Sequence, residues 1–175
     1  MKSTNLKYTI LLNGFTLLEL LVVIVIIGII LTFATLSIHQ SDTKSQITEA
    51  AQRLAAVLTL ASQEAILQGQ EMGVYFEQTG YRFYRLENDA WQIQEDIMRP
   101  YVFQSCIEAQ LQVEGETVIL ESTQSKKIPQ IVLFSSGEMT PFTTTLTCAV
   151  DEHYAHRVTG TANGIIEAAP YEKIN

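Results

Sequence analysis

Proline and basic residues are scarce in this chain, and both shortages narrow its structure and function. No proline precedes Pro100, so no proline interrupts a helix in the first half of the chain. Lysine and arginine number 11 against 19 aspartate and glutamate residues, which gives a formal net charge of −8 at pH 7. Because nucleic-acid binding draws on Lys and Arg that neutralise phosphates, we expect no DNA or RNA partner.

The sequence also lacks the short motifs of common catalytic and ligand-binding sites. It has no nucleophile elbow, no phosphate-binding glycine loop and no Cys-x-x-Cys. His153 and His156 would share a face on a helix as metal ligands, but their surroundings are more typical of a loop before a strand. We therefore expect no enzyme, no cofactor and no metal site.

Cysteine is limited to Cys106 and Cys148. Two thiols cannot form a disulfide framework, but they suffice for one bridge in an oxidising compartment. Such a bridge would close a loop of about forty residues and stabilise the fold by about 3–4 kcal/mol. The alternative is that Cys148, which stands in an apolar segment, is a small buried side chain.

Apolar residues are concentrated near the N-terminus. Lys2 and Lys7 are the only charges before an apolar run that has no polar side chain from Leu20 to Leu31 and continues, diluted by Thr and Ser, to Ile38. About 20 apolar residues span a bilayer, and the positive charges keep the N-terminal end in the cytoplasm. The run is long for an ordinary signal peptide. A plain membrane anchor leaves Glu19 unexplained, because a carboxylate in an apolar run is costly and marks a function.

The segment Gly14-Phe15-Thr16-Leu17-Leu18-Glu19, directly after the basic leader, resembles the prepilin signature of type IV pilins and type II secretion pseudopilins. The resemblance implies that a membrane prepilin peptidase cuts between Gly14 and Phe15, and that the new N-terminal Phe15 is N-methylated. It also implies that Glu19 neutralises the terminal amine of a neighbouring subunit and sets the register of assembly. Within one chain these groups would lie about 6 Å apart along a helix.

Beyond the membrane segment, apolar residues recur at steps of three and four: Ile47, Ala51, Leu54, Val57 or Leu58, Ala61 and Ala65. This spacing predicts one apolar face of a helix. Gly69 is a typical C-terminal stop, so the sequence predicts a continuous helix from Phe15 to Gln68. The amphipathic half of this helix needs a surface to pack on.

After Gly69 the sequence predicts short strands. One hairpin is expected around Gln78-Thr79-Gly80 and a second around Glu114-Gly115-Glu116. Further strands are expected at 131–134, 142–150 and 156–167, whereas the segment 87–110 gives no clear element and is interpreted as a long loop. The predicted fold is α+β, with a long N-terminal helix packed on an antiparallel β domain. Its predicted parts are a leader (1–14), a membrane half (15–38) and an amphipathic half (39–69) of the helix, and a periplasmic domain (70–175).

The segment from Phe134 to Phe142 is similar to the C-terminal part of the H-type minor pseudopilins and related minor pilins, although a glycine turn between two strands accounts for its composition too. The two resemblances imply a minor pseudopilin of a type II secretion system, which takes part in exporting folded proteins across the outer membrane. The implied partners are other pseudopilins, the prepilin peptidase that also methylates, the inner-membrane secretion platform and inner-membrane lipid. The alternative is a minor pilin of a type IV pilus, for pilus assembly or DNA uptake.

Overall fold

The computed structural model describes residues 16–95, 98–104, 106–120, 128–149 and 151–172, with side chains described at all of these except 31–42, 151–153 and 172. The chain divides after His39 into two compact units. Gly14 and Phe15, on which the predicted cleavage depends, lie outside the described residues.

One long helix, α1, runs from Leu17 to Gln68, close to the predicted bounds. It ends where the sequence places its stop: Gly69 takes a φ of +63°. The Gly69 N–H donates to the carbonyl of Ile66 at 3.3 Å, and the Gln70 N–H donates to that of Ala65 at 3.1 Å. This pair of bonds is the Schellman arrangement, which favours glycine because the residue after the helix is left-handed.

The second half of α1 buries the predicted apolar face. Its buried side chains are at most 1% exposed: Ile47, Ala50, Ala51, Leu54, Leu58, Ala61 and Ala65. Among the described residues, no helix has a stretch long and apolar enough to cross a membrane. The membrane half at 15–38 stays a prediction.

Antiparallel strands follow the helix. Within the described ranges they are β1 (Met72–Glu77), β2 (Gly80–Glu87), β3 (Ala90–Gln94), β4 (Tyr101–Val102), β5 (Ile107–Val113), β6 (Glu116–Val118), β7 (Ile131–Leu133), β8 (Phe142–Cys148), β9 (Asp151–Gly160) and β10 (Ile166–Glu172). The first sheet has the order β3-β2-β1-β7, with β4 also paired to β2, and the second sheet has the order β10-β9-β8-β5-β6. The buried face of α1 and residues of both sheets form one hydrophobic core, which confirms the predicted α+β fold.

Two strand predictions were wrong. The single strand expected at 156–167 is two strands, β9 and β10, joined by a turn in which the Thr161 N–H donates to the Ile165 carbonyl at 3.0 Å. Asn163-Gly164 is a strong hairpin signal, and Gly164 takes a φ of +86°. His153 and His156 therefore both lie within β9 and not in a loop before a strand.

The segment 87–110 is not one long loop, because it contains β3, β4 and the start of β5. β2 and β3 form a hairpin in which Asn88 and Asp89 have φ values of 50° and 61°. Both residue types tolerate this left-handed backbone, which the tight turn requires.

Candidate assembly site

The first turn of α1 is organised by Thr16. Its hydroxyl oxygen accepts a hydrogen bond from the Glu19 N–H at 3.2 Å, and its carbonyl accepts from the N–H groups of Glu19 and Leu20 at 3.1 and 3.2 Å. Thr16 thus caps the helix and satisfies a donor that the first turn leaves free. This role was not predicted from the sequence, although Thr-x-x-Glu is the spacing of a capping box.

Glu19 sits in that first turn on an otherwise apolar surface. Every residue from 16 to 30 is exposed in the single chain, including Leu17 at 84% and Ile24 at 60%. Glu19 is the only charged residue of this stretch, which we call the assembly segment (residues 16–30). A carboxylate at a helix N-terminus interacts favourably with the helix dipole, but a helix that is apolar all round requires a membrane or other chains as its surroundings.

Cys106 and Cys148 lie at the same end of an antiparallel strand pair, where β5 starts and β8 ends. Cys148 is the last residue of β8 and faces Ile107, the first residue of β5, across the second sheet. Cys148 is buried and Cys106 is half-buried. Burial raises the pKa of the Cys106 thiol to about 11, and a hydrogen bond with Cys148 and its charge add to the rise.

The arginines that could have formed a basic patch in the first sheet have acidic partners. The Arg82 guanidinium lies 3.2 Å from the Glu77 carboxylate, and that of Arg85 lies 3.8 Å from Glu87. In the second sheet, Arg157 lies over the ring of Tyr171 at 3.8 Å from its centroid. Lys126 and Lys127, the other candidates for such a patch, lie outside the described residues.

The segment from Phe134 to Phe142 forms the glycine turn that its composition indicates. The Phe134 N–H donates to the Glu138 carbonyl at 2.9 Å, and the Gly137 N–H donates to the Phe134 carbonyl at 3.0 Å. Gly137 has a φ of +91°, and its carbonyl lies 2.3 Å from where a Cβ at Gly164 would be. The turn is therefore packed against the β9–β10 turn, and β8 begins directly after Pro141.

Comparison with known families and structures agrees with these features. Residues 50–164 match the family model described as Type II transport protein GspH. Residues 13–35 match the Prokaryotic N-terminal methylation motif, which spans the predicted cut and the assembly segment.

Individual proteins give the same picture. Type II secretion system protein H of Pseudomonas aeruginosa is 29% identical over 137 residues, which cover 74% of this chain and 80% of that protein. The crystal structure of the minor pseudopilin EpsH from Vibrio cholerae has a TM-score of 0.61 and 27% identity, covering 72% of this chain and 97% of that one. The type IV minor pilin FimU of P. aeruginosa has a TM-score of 0.52 and 15% identity, covering 72% of this chain and 90% of FimU, and so shares the fold. Because the GspH model matches more than half of the chain, the protein belongs to the GspH family of type II transport proteins, the H-type minor pseudopilins.

Proposed function

We propose that this protein is a minor subunit of a type II secretion pseudopilus, and that it assembles through the segment 16–30. The main support for assembly through this segment is that it is an exposed, apolar helix with a single charge, Glu19, in its capped first turn. The match to the N-terminal methylation motif over residues 13–35 supports processing of the chain just before this segment. The role is structural, and the chain is a substrate of the processing enzymes.

The chemistry of assembly follows from the charge. Cleavage after Gly14 leaves a positive primary amine on Phe15, and a single N-methylation turns it into a secondary amine that keeps the charge. In surroundings of low dielectric constant, opposite charges attract far more strongly than in water. We infer that Glu19 of one subunit pairs with the amine of its neighbour, so the pair forms only when the two helices have one axial offset.

The same reasoning predicts how the chain is inserted in the membrane and then assembled. The precursor is inserted in the inner membrane with its N-terminus in the cytoplasm, and its β domain lies in the periplasm. The subunit then moves from the bilayer into a filament, where neighbouring helices replace lipid around residues 16–30. Its partners are other pseudopilins, the prepilin peptidase, inner-membrane lipid and the secretion platform.

A type IV minor pilin is the second candidate, because FimU shares the fold. The arginine pairings favour secretion over DNA uptake, since Arg82 and Arg85 already face carboxylates. We expect deletion of the gene to impair protein secretion and to leave transformation intact. Micromolar, salt-sensitive binding of the protein to DNA in a gel-shift titration would favour the pilin.

The decisive experiment compares three substitutions at one position. Glu19→Gln removes the charge and keeps the shape, Glu19→Val also removes the polar group, and Glu19→Asp keeps the charge. We expect all three to insert in the membrane, because Gln and Val remove a costly charge and Asp leaves the charge as it is in the wild type. Incorporation into sheared filaments should fall strongly for Gln and Val and least for Asp. Equal incorporation of Glu19→Val and wild type would refute the pairing.

Processing is tested separately at Gly14. Replacement of Gly14 by a bulky residue should leave the precursor, with its leader, in the inner membrane. Mass spectrometry of the N-terminal peptide of the wild type should show N-methyl-Phe15. Assembled protein that keeps residues 1–14 would contradict the proposed maturation.

A further inference from the structure

The fold places the two cysteines within reach of each other. Facing residues of an antiparallel pair have Cα atoms about 4.5–5.5 Å apart, and Ile107 faces Cys148. Cys106 precedes Ile107 in a turn closed by the Ile107 N–H, which donates to the Gln104 carbonyl at 2.8 Å. Because Cys106 lies in this turn, the alternation of side chains along β5 does not force it away from Cys148.

The surroundings of the two cysteines are also shared. Cys148 is among the groups that raise the pKa of the Cys106 thiol. Cys148 is 1% exposed, and Cys106 is half-buried and packs against the same core. Two cysteines at the same end of adjacent strands, one of them next to the residue that faces the other, are placed so that a disulfide requires no large backbone shift.

We propose that Cys106 and Cys148 form an intrachain disulfide, made by exchange with a periplasmic protein disulfide before β5 and β8 complete their pairing. The thiolate of Cys106 attacks the donor disulfide and expels one donor thiolate. The thiolate of Cys148 then attacks the Cys106 sulfur of the mixed disulfide and expels the second. The cysteines lose two protons and two electrons, and the donor becomes a dithiol. The proposal rests on the periplasmic location given under the proposed function.

The order of events follows from the state of the folded thiol. Thiol exchange requires the thiolate, and in the folded domain the pKa of Cys106 is about 11 because of burial. The lower thiolate fraction outweighs the higher reactivity of a more basic thiolate, so exchange should be at least tenfold slower than for a free cysteine. The same burial shields the finished bond. The disulfide therefore forms early and then persists.

The bond would join the start of β5 to the end of β8, which are neighbouring strands of the second sheet. The loop between Cys106 and Cys148 contains β6 of the second sheet and β7 of the first. A crosslink that closes a loop of about forty residues restricts the unfolded chain strongly. Loss of the bond should raise the unfolding equilibrium constant by a factor of about 10² to 10³.

The first test measures the thiols of the full chain in cells. The sample is acid-quenched, denatured without reductant and treated with a maleimide polymer that shifts the band for every free thiol. We expect no shift for the wild type and one thiol for each of the variants Cys106→Ser and Cys148→Ser. Two free thiols, or a link to another chain, would overturn the proposal.

A protease added to spheroplasts of the same cells separates this result from a failure of the proposed function. A β domain that is digested and yet carries two free thiols refutes the disulfide alone. A β domain that is protected, with two free thiols, refutes the periplasmic location and the disulfide together.

The second test uses the full chain in detergent. It asks whether the disulfide forms before folding and how much it stabilises the folded protein. Oxidation of the reduced protein by oxidised glutathione should be at least tenfold faster in denaturing urea than in the folded state, and equal rates would overturn the early-formation step. In urea titrations followed by Trp91 fluorescence, Cys106→Ser should unfold more readily than the oxidised wild type. The urea midpoints of the two proteins should become equal when both are measured with reductant. An undiminished difference would show that the lower stability of Cys106→Ser is not due to loss of the disulfide.

Discussion

The two halves of α1 have similar backbones and opposite relations to solvent. Between Ile47 and Ala65 the helix buries a complete apolar face against the β domain. From Leu17 to Ile30 every residue of the helix is exposed. The length of a helix alone therefore does not indicate its function. The distribution of apolar residues, on one face or all round, separates the half that stabilises the fold from the half that awaits other molecules.

The comparison also separates two kinds of mutational effect. A substitution in the second half changes the free energy of unfolding of the domain, because the side chain loses packing partners. A substitution in the first half leaves that free energy unchanged and alters insertion or assembly. Substitutions in each half of the helix test this distinction.

The largest effect is expected at Leu54, which is fully buried. Leu54→Ala should lower the free energy of unfolding by about 2–5 kcal/mol, because it removes buried methyl groups and leaves a cavity. Urea unfolding of the full chain in detergent, followed by the fluorescence of Trp91, the only tryptophan, measures it.

The matched control is Ile24→Ala in the same helix, at a side chain that is 60% exposed. It should leave the urea midpoint of the domain unchanged and reduce incorporation into filaments. A loss of domain stability as large as that of Leu54→Ala would show that the two halves are one cooperative unit, contrary to the comparison.

A smaller effect is expected at the C-terminal end of α1. Gly69→Ala should cost about 1–2 kcal/mol, the strain of a Cβ in the left-handed region. A Cβ at this position would meet no described atom within 4 Å, so the cost is conformational and not steric. Gly69→Asn, which tolerates the same backbone better, should recover part of the loss in the same urea titration.

A pH-dependent effect is expected from His156 in β9. This side chain is 4% exposed, its Nδ1 has no hydrogen-bond partner among the described residues, and its cross-strand neighbours are Leu146 and Pro170. Burial lowers the pKa of His156 below its usual 6.5. As the pH falls through 6.5 the unfolded chain takes up the proton first, so stability is lost from there down to the lower folded pKa and is unaffected above it.

The measurement compares the urea midpoints at about pH 7.5 and pH 5.5. The drop on acidification should be smaller in His156→Gln than in the wild type, since this variant has no imidazole to titrate. Carboxylates contribute equally to both proteins and cancel in the comparison. An identical drop in the two proteins would contradict the assignment to His156.

The sequence predicted the parts of the fold whose signals are local. The steps of three and four along α1 and the stop at Gly69 depend on neighbouring residues, and both are confirmed. The two predicted hairpins are confirmed because Gly80 and Gly115 mark their turns. β3 was missed because its turn, Asn88-Asp89, carries no glycine, although both residue types accept a left-handed backbone.

Pairings between distant segments had no comparable signal. The two-residue strand β4 is defined by its contact with Gly80 and Tyr81 in β2, and two residues show no periodicity. The meeting of Cys106 and Cys148 depends on the register of β5 against β8, which no local pattern determines. At the assembly site, the cost of a carboxylate in an apolar run is a strong signal for Glu19, whereas the Thr-x-x-Glu spacing of the cap at Thr16 is a weaker one, because the pattern is short.

The smallest effect on the domain is expected from Thr16→Ala, at the far end of the same helix. Loss of the N-cap hydroxyl should destabilise the first turn of α1 by about 0.5–2 kcal/mol, because the Glu19 N–H loses its side-chain partner. Hydrogen exchange should accelerate at the amides of Glu19 and Leu20, while the urea midpoint of the domain stays unchanged. Thr16→Ser, which keeps the hydroxyl, should behave as the wild type.

If fraying of this turn misplaces Glu19, Thr16→Ala will also lower incorporation into filaments although the charge is intact. Full incorporation together with faster exchange would show that the pairing of Glu19 does not depend on a preformed first turn.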